Sequence, residues 1–440
     1  MSGQRLVITG GTVVDPVAGT AALGDVTVED GRLVGVLRAG EGSAEGATVM
    51  DARGLLVLPG LVDMHVHLRE PGFEYKETIQ TGVAAALAGG FTSVACMANT
   101  EPPNDSAAVT QYILDRARVA QGARVHPIGA LSIGLRGEHL AEIGEMHRAG
   151  IVAISDDGRA VMDAGLMRRA LEYSRMFGLP VIVHEEDSSL AGGGSMNEGV
   201  TALRLGLRGI PAAAEDVMIA RDVALVRLTG GRLHVAHVST ASAVALLRAA
   251  KSEGLAVTAE VTPHHLFLTE EAVAGYGTNA KMAPPLRTRA DVDALRAALA
   301  DGTIDAIATD HAPHHHDEKD VEFEHAANGV VGLETALPLA LRLVAERVLD
   351  LPALVARMTV GPARILGLAA GTLAPGAPAD LTLVDPERRW RVDPRAFRSK
   401  SRNTPFDGWE MTGRAVAVLV GGRLVHDERP VATPALRSAS

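Results

Sequence analysis

The sequence predicts an α/β protein: a (β/α)8 TIM barrel with a small discontinuous β-sandwich domain formed by its N- and C-terminal segments. Three observations predict it. The middle of the chain alternates short apolar runs with helical stretches, the signature of parallel strands linked by helices. Eight such runs can be counted, the number that closes a barrel. Both ends of the chain instead read as short strands punctuated by glycine turns.

Taken in order, Leu6–Thr9, Val26–Glu29, Leu33–Leu37 and Gly54–Leu58 read as strands. Gly10-Gly11 and Asp30-Gly31 fall where hairpin turns belong. The eight barrel strands are then Leu61–Val66, Thr92–Met97, Val125–Ala130, Ile151–Ser155, Val181–Val183, His234–Val238, Val257–Val261 and Ile304–Thr309. Their continuous apolar character suits strands covered on both faces. Leu166–Phe177 and Ala241–Ala250 read as helices between them. Past Gly371 the β texture returns, with Leu381–Val384 and Ala415–Val420 as strands and Gly421-Gly422 as a turn. The expected division is 59–367 for the barrel, with 1–58 and 368–440 pairing as the sandwich.

A chain of 440 residues accommodates both units, and 47% hydrophobic residues supply a large core. Aromatics are scarce, so Ala, Val, Leu and Gly must do the packing. The net charge of −11 argues against nucleic acid or an anionic membrane as a partner. A single cysteine, Cys96, excludes a disulfide framework and fits a reducing compartment. MSGQRLVITGG has no apolar core of a secretory signal, so a cytoplasmic location is expected. The apolar stretch Val83–Ala98 is split by Gly89-Gly90 and falls short of the roughly 20 residues of a membrane span, so helix, turn and strand describe it better.

The placement of His and Asp carries the chemistry. His65-x-His67 closes the first barrel strand, and the period of two puts both imidazoles on one face. Asp157 follows the fourth strand in ISDDG, where it or Asp156 could instead cap the next helix. His184 ends the fifth strand, His237 the sixth, and Asp310 the eighth. In a barrel all of these face the C-terminal mouth. Four imidazoles and two carboxylates make a ligand set for Zn²⁺ or a similar metal, enough for two ions.

LLVLPGLVDMHVHLREPG resembles the opening of the cyclic amidohydrolases. HVHLREPG followed by MANT, ISDDG, HEED, HVST, VTPHH and ATDHAPH resembles class I dihydroorotase throughout, as does GTLAPGAPADLTLVD. The resemblance implies that His65, His67 and Asp310 hold one zinc, His184 and His237 a second, with Asp157 bridging. It implies Asp310 as catalytic acid and base. It also implies substrate contacts from His67, Arg69, Asn99, Asn279, His314, Asn328 and Gly329, with Arg69 and Asn99 gripping a free carboxylate. Hydantoinases and allantoinases bridge their metals with a carboxylated lysine, and no lysine stands near the end of the fourth strand. The implied substrate is a small molecule. A homo-oligomer (a dimer) and association with aspartate transcarbamoylase are the expected assemblies. Another cyclic amidohydrolase and an inactive partner of that transcarbamoylase are the alternatives, the latter opposed by a full ligand set. The chain departs from the pattern at Ala98, Ala283 and Ala327-Asn328-Gly329, the last in the loop over the substrate ring. Gly192–Gly194 reads as a flexible loop, His315 and His316 as solvent-facing, and Arg388–Arg402 as a solvated basic face.

Overall fold

In the computed structural model, which describes residues 5–43 and 45–429, the parallel strands of the central segment pair in two groups. Strands β1 (Leu61–Val66), β2 (Phe91–Cys96) and β3 (Arg124–Pro127) form one. Strands β4 (Ile154–Ser155), β5 (Val181–Val183), β6 (Leu233–Val235), β7 (Val257–Val261) and β8 (Ala306–Ile307) form the other. Isolated parallel bridges join the groups at both ends, Gly129 with Ile154 and Val66 with His311. All eight expected strands are present. Several stop short of their expected ends because the chain leaves the ladder where site residues begin. His237 and Asp310, just past β6 and β8, have φ of 34° and 46°, outside the extended region.

One apolar cluster unites Met64, Ala95, Ile128, Ala153, Ile182, Ala236 and Ala306, drawn from or beside seven of the eight strands. Its small residues explain how a chain poor in aromatics fills the space between strands. Helices cover the outer faces. Ile79–Gly89 opens on a capping box between Thr78 and Thr81 and ends at Gly90, whose φ of 91° favours glycine. Val83–Ala98 is therefore helix, turn and strand. Leu166–Phe177 appears as the helix Ala164–Ser174 running into a 3₁₀ turn, and Ala241–Ser252 is helical. No described helix is long and apolar enough to cross a membrane.

The two ends of the chain build one hydrogen-bonded sheet of eight strands. Leu56–Pro59 pairs antiparallel with the start of Leu381–Arg391, so residues more than 300 apart in sequence share a ladder. Ile8, Val26, Val57, Leu381, Val416 and Leu419 bury into a single core beneath it. Asp30-Gly31 and Gly421-Gly422 are turns with positive φ, as expected. Gly10-Gly11 is not a turn. It lies inside the strand Arg5–Asp15, where the register shifts between Ile8 and Gly11 and the Gly10 N–H donates to Asp25 Oδ1 at 2.9 Å. The pair makes a bulge. Thr48–Asp51 and Arg423–Asp427 are strands without a sequence signal, being short and largely exposed. Between Leu381–Arg391 and Glu410–Val420, residues 397–404 leave the sheet and reach the loops beyond β1 and β8.

Candidate metal centre

Six side chains from five strand ends converge, and all are buried. His65 Nε2 lies 3.4 Å from Asp157 Oδ1 and 3.4 Å from Asp310 Oδ1. His67 Nε2 lies 3.4 Å from Asp157 Oδ2 and 3.1 Å from Asp310 Oδ1. On the far side, His237 Nε2 and His184 Nδ1 approach Asp157 Oδ1 at 3.4 and 3.8 Å, and each other at 3.0 Å. Asp157 thus sits between two groups of imidazoles. Every residue of the sequence-derived ligand set is in this cluster.

The surroundings hold these side chains in place. Asp63 Oδ1 accepts the N–H of His65 and of Thr309, tying β1 to the end of β8. Asp156 does not cap the helix that follows; its carboxylate accepts the Leu131 and Ser132 N–H groups, and Asp163 caps Ala164–Ser174 instead. Asp157 is left facing the cluster. Glu260, on β7, takes His65 Nδ1 at 2.6 Å and His234 Nε2 at 3.2 Å. A histidine donating through Nδ1 presents its Nε2 lone pair, the form a metal needs. Asn99 acts likewise on His67, its Oδ1 2.8 Å from Nδ1, while its Nδ2 donates to the Asp157 carbonyl.

Charge explains why a cation fits. Burial disfavours an ionised carboxyl, yet His65 and the hydrogen bonds of His184 and His237 hold Asp157 well below the usual carboxylate range. Asp310 is lowered in the same way, against its burial, by His65 and His67. Burial opposes a charge on His65, but Asp157, Asp310 and Glu260 overcome it and raise the imidazole well above its ordinary value. Three buried carboxylates therefore demand positive charge at one place. His65 Nε2 and Asp157 Oδ1 are also buried without a hydrogen-bond partner, which a shared metal would supply. The donor set fits zinc.

The residues expected on the substrate side divide. Arg69 is buried; its Nε donates to the Pro313 carbonyl at 3.2 Å and one Nη faces His314 Nε2 at 3.4 Å. Among the described residues its remaining N–H groups make no hydrogen bond. Burial, with the charges of Arg69 and Lys76, pushes His314 down to about 3, so the ring is neutral. A cavity of about 530 Å³ is lined by His314, Asn279, Tyr75, Lys319, Lys400 and Arg402, among others. Gly329 packs beneath His314, where an added Cβ would lie 2.7 Å from Cδ2. Asn328 is exposed and lines no part of that cavity.

Sequence reasoning missed Glu260, His264 and Asn403. A glutamate in the apolar run Val257–Val261 was a readable signal, since a buried charge needs a partner. His264 stands in VTPHH. Burial, together with the positive charges of His237 and His65, pushes it down to about 4, and its Nε2 is buried without a partner beside the cluster. His316 is exposed, but His315, expected to face solvent, is half-buried against the Tyr75 ring and caps the short helix His316–Lys319; in the basic stretch Arg388 pairs with Glu428 and Arg395 with Asp393. Gly192 closes the short helix Ser188–Ala191, and Gly194 packs on Gly209.

A family model described as dihydro-orotase-like matches residues 54–243, and an amidohydrolase family model matches 201–426. A dihydroorotase of Anaeromyxobacter dehalogenans is 59% identical over 96% of this chain and 98% of its own. The chain belongs to the dihydroorotase family. It is thereby one of the metal-dependent cyclic amide hydrolases. A dihydroorotase of Syntrophotalea carbinolica is 56% identical over 96% of this chain and 99% of its own. Among solved structures, the L-hydantoinase (dihydropyrimidinase) of Arthrobacter aurescens superposes with a TM-score of 0.86 at 27% identity, covering 97% of each chain.

Proposed function

We propose that this protein is a cytoplasmic dihydroorotase, catalysing the reversible cyclisation of N-carbamoyl-L-aspartate to L-dihydroorotate for pyrimidine synthesis. The observation that carries the reading is the convergence of four imidazoles on two carboxylates, with Asp157 rather than a lysine at the centre. His65, His67 and Asp310 would hold one zinc, His184 and His237 a second, and Asp157 both. Bound metal supplies Lewis acidity, acidifying a coordinated water and polarising a carbonyl.

The chain's own residues do the rest. Asp310 takes a proton from the attacking water on its carboxylate and returns it to the ring nitrogen as the C–N bond breaks. In synthesis it deprotonates the ureido nitrogen. Ring opening creates a carboxylate and releases a proton near neutral pH, so lower pH favours ring closure. Arg69 offers its free N–H groups to the substrate carboxylate, a planar match. Asn99 serves the carboxylate with its second amide hydrogen while fixing His67. Asn279, His314 and the backbone at Asn328-Gly329 contact the ring.

The parallel strands are read as a closed (β/α)8 barrel over 59–367, supported by the bridges at both seams and the shared core of small residues. The folded-over end sheet, 1–58 with 368–440, is read as the sandwich domain.

The test is hydrolysis of dihydroorotate by zinc-loaded protein. Activity is expected to vanish on prolonged chelation and return with Zn²⁺, Co²⁺ or Mn²⁺. Full activity in protein shown metal-free by elemental analysis would sink the metal assignment. Turnover of hydantoin but not dihydroorotate would replace the substrate, a reading favoured by the hydantoinase-like backbone.

A further inference from the structure

The segment 397–404 belongs by sequence to the end sheet, yet its side chains bond to the loops around the cavity. Ser399 Oγ and the Lys400 N–H reach Glu77, Lys400 Nζ reaches the Glu74 carbonyl, and Ser401 Oγ reaches the Lys76 carbonyl. At its end stands Asn403, buried, with every polar group of its side chain committed. Its Oδ1 accepts the His314 N–H at 3.1 Å. Its Nδ2 donates to the Ala312 carbonyl at 2.9 Å and the Gly329 carbonyl at 3.0 Å. Its own carbonyl accepts the Val331 N–H at 2.9 Å. One residue therefore grips the loop after Asp310 and the loop carrying Gly329. Lys319, also buried, grips the second loop from the other side, donating to Ala327 and Gly329 carbonyls at 2.7 and 3.1 Å.

We propose that Asn403 and Lys319 are positioning residues for substrate binding, a brace that holds His314 and Gly329 at the distance the ring requires. The brace needs no side chain from the loop itself. Both residues bond main-chain carbonyls, so the loop tolerates Ala327 and Asn328 where its identity would otherwise matter. Gly329 is the sensitive point, because a Cβ added there would come within 2.7 Å of His314 Cδ2 and both donors end on its oxygen. Among the described residues, Asn403 and Lys319 bond to main-chain atoms of Ala312, His314, Ala327 and Gly329 and not to the side chains of the metal cluster, so loss of the brace acts on binding rather than on metal.

The inference rests on His314 and Gly329 being substrate contacts, and the experiment separates the two. Asn403→Ala, Lys319→Met and the double variant are compared with wild type for metal content and dihydroorotate kinetics. Each single variant raises KM about fivefold or more, with kcat within about twofold and metal content unchanged. The double variant raises KM by less than the product of the singles, because both donors share the Gly329 oxygen. Wild type that does not turn over dihydroorotate rejects the substrate reading. Wild-type turnover with unchanged KM in the folded variants rejects the brace, as does parallel loss of kcat and metal. Hydrogen exchange over residues 311–331 needs no substrate: it speeds up in both variants, and unchanged exchange overturns the brace whatever the wild type hydrolyses. If Asn403→Ala does not fold, Lys319→Met carries the same readouts; if neither folds, the contacts are fold elements and the proposal fails.

Discussion

Glu260 lies one step behind the metal centre, and replacing it by glutamine or leucine separates its charge from its hydrogen bonds. It is buried on β7, with His65 Nδ1 at 2.6 Å and His234 Nε2 at 3.2 Å. Burial raises its carboxyl, but the charge of His65 and the bonds to both imidazoles hold it at about 2, so it is ionised at neutral pH. Glutamine keeps an oxygen for His65 and an N–H for His234, yet removes the charge. A charge-assisted hydrogen bond is worth about 1.5–3 kcal/mol against about 0.5–1.5 for a neutral one. That difference corresponds to a loss of about tenfold in zinc affinity. Leucine removes both partners and frees the His65 tautomer, and outer-shell losses reach about a hundredfold. Competition with a chromophoric chelator reads the affinity without any assay of turnover. Wild-type zinc affinity in a folded Glu260→Leu protein would refute the argument, as would a weaker zinc site in the glutamine variant than in the leucine one.

Two further substitutions test the chemistry. Asp310→Asn keeps an oxygen for the metal but cannot carry a proton, so the variant should retain its metal and lose about 10²–10⁴ in turnover in both directions; metal retention with a tenth or more of wild-type turnover would make Asp310 a ligand alone. Arg69→Met should depress dihydroorotate turnover roughly ten- to a hundredfold more than that of dihydrouracil, which lacks the carboxylate. Equal losses on both substrates would assign Arg69 to structure, through its bond to the Pro313 carbonyl.

Much of this was legible in the sequence because two physical constraints write themselves plainly. Parallel strands covered on both faces are mostly apolar, which is why runs such as Val181–Val183, and Val257–Val261 despite Glu260, stood out with correct limits. Imidazoles and carboxylates are common zinc ligands, and here they fall at or just past the ends of parallel strands, so all six cluster residues could be named in advance. The misses have equally physical causes. A Gly-Gly pair serves a bulge as well as a turn, and nothing local distinguishes them at Gly10-Gly11. Thr48–Asp51 and Arg423–Asp427 are mostly exposed, so no alternation marks them. Asn403 acts on main-chain atoms far away in sequence, and such a role leaves no period and no motif.

The same distinction changes how the pair proposed to bind the substrate carboxylate should be read. Arg69 and Asn99 look equivalent in the sequence, yet Asn99 Oδ1 is already committed to His67 Nδ1 and its Nδ2 to the Asp157 carbonyl. Any Asn99 substitution therefore disturbs the proposed ligand His67 together with the proposed carboxylate contact, and Arg69 is the cleaner probe. Arg69 itself has a φ of 61°, and His237 and Asp310 share the left-handed region at 34° and 46°. Such conformations cost a non-glycine residue on the order of 1–3 kcal/mol each. They persist because neighbouring contacts fix them: the His67 N–H to the His311 carbonyl, the Val238 N–H to the Glu260 carbonyl, and Arg69 to Pro313. The strain is thus placed at side chains that point into or border the His and Asp cluster, while the apolar core shared by the strands stays unstrained by it.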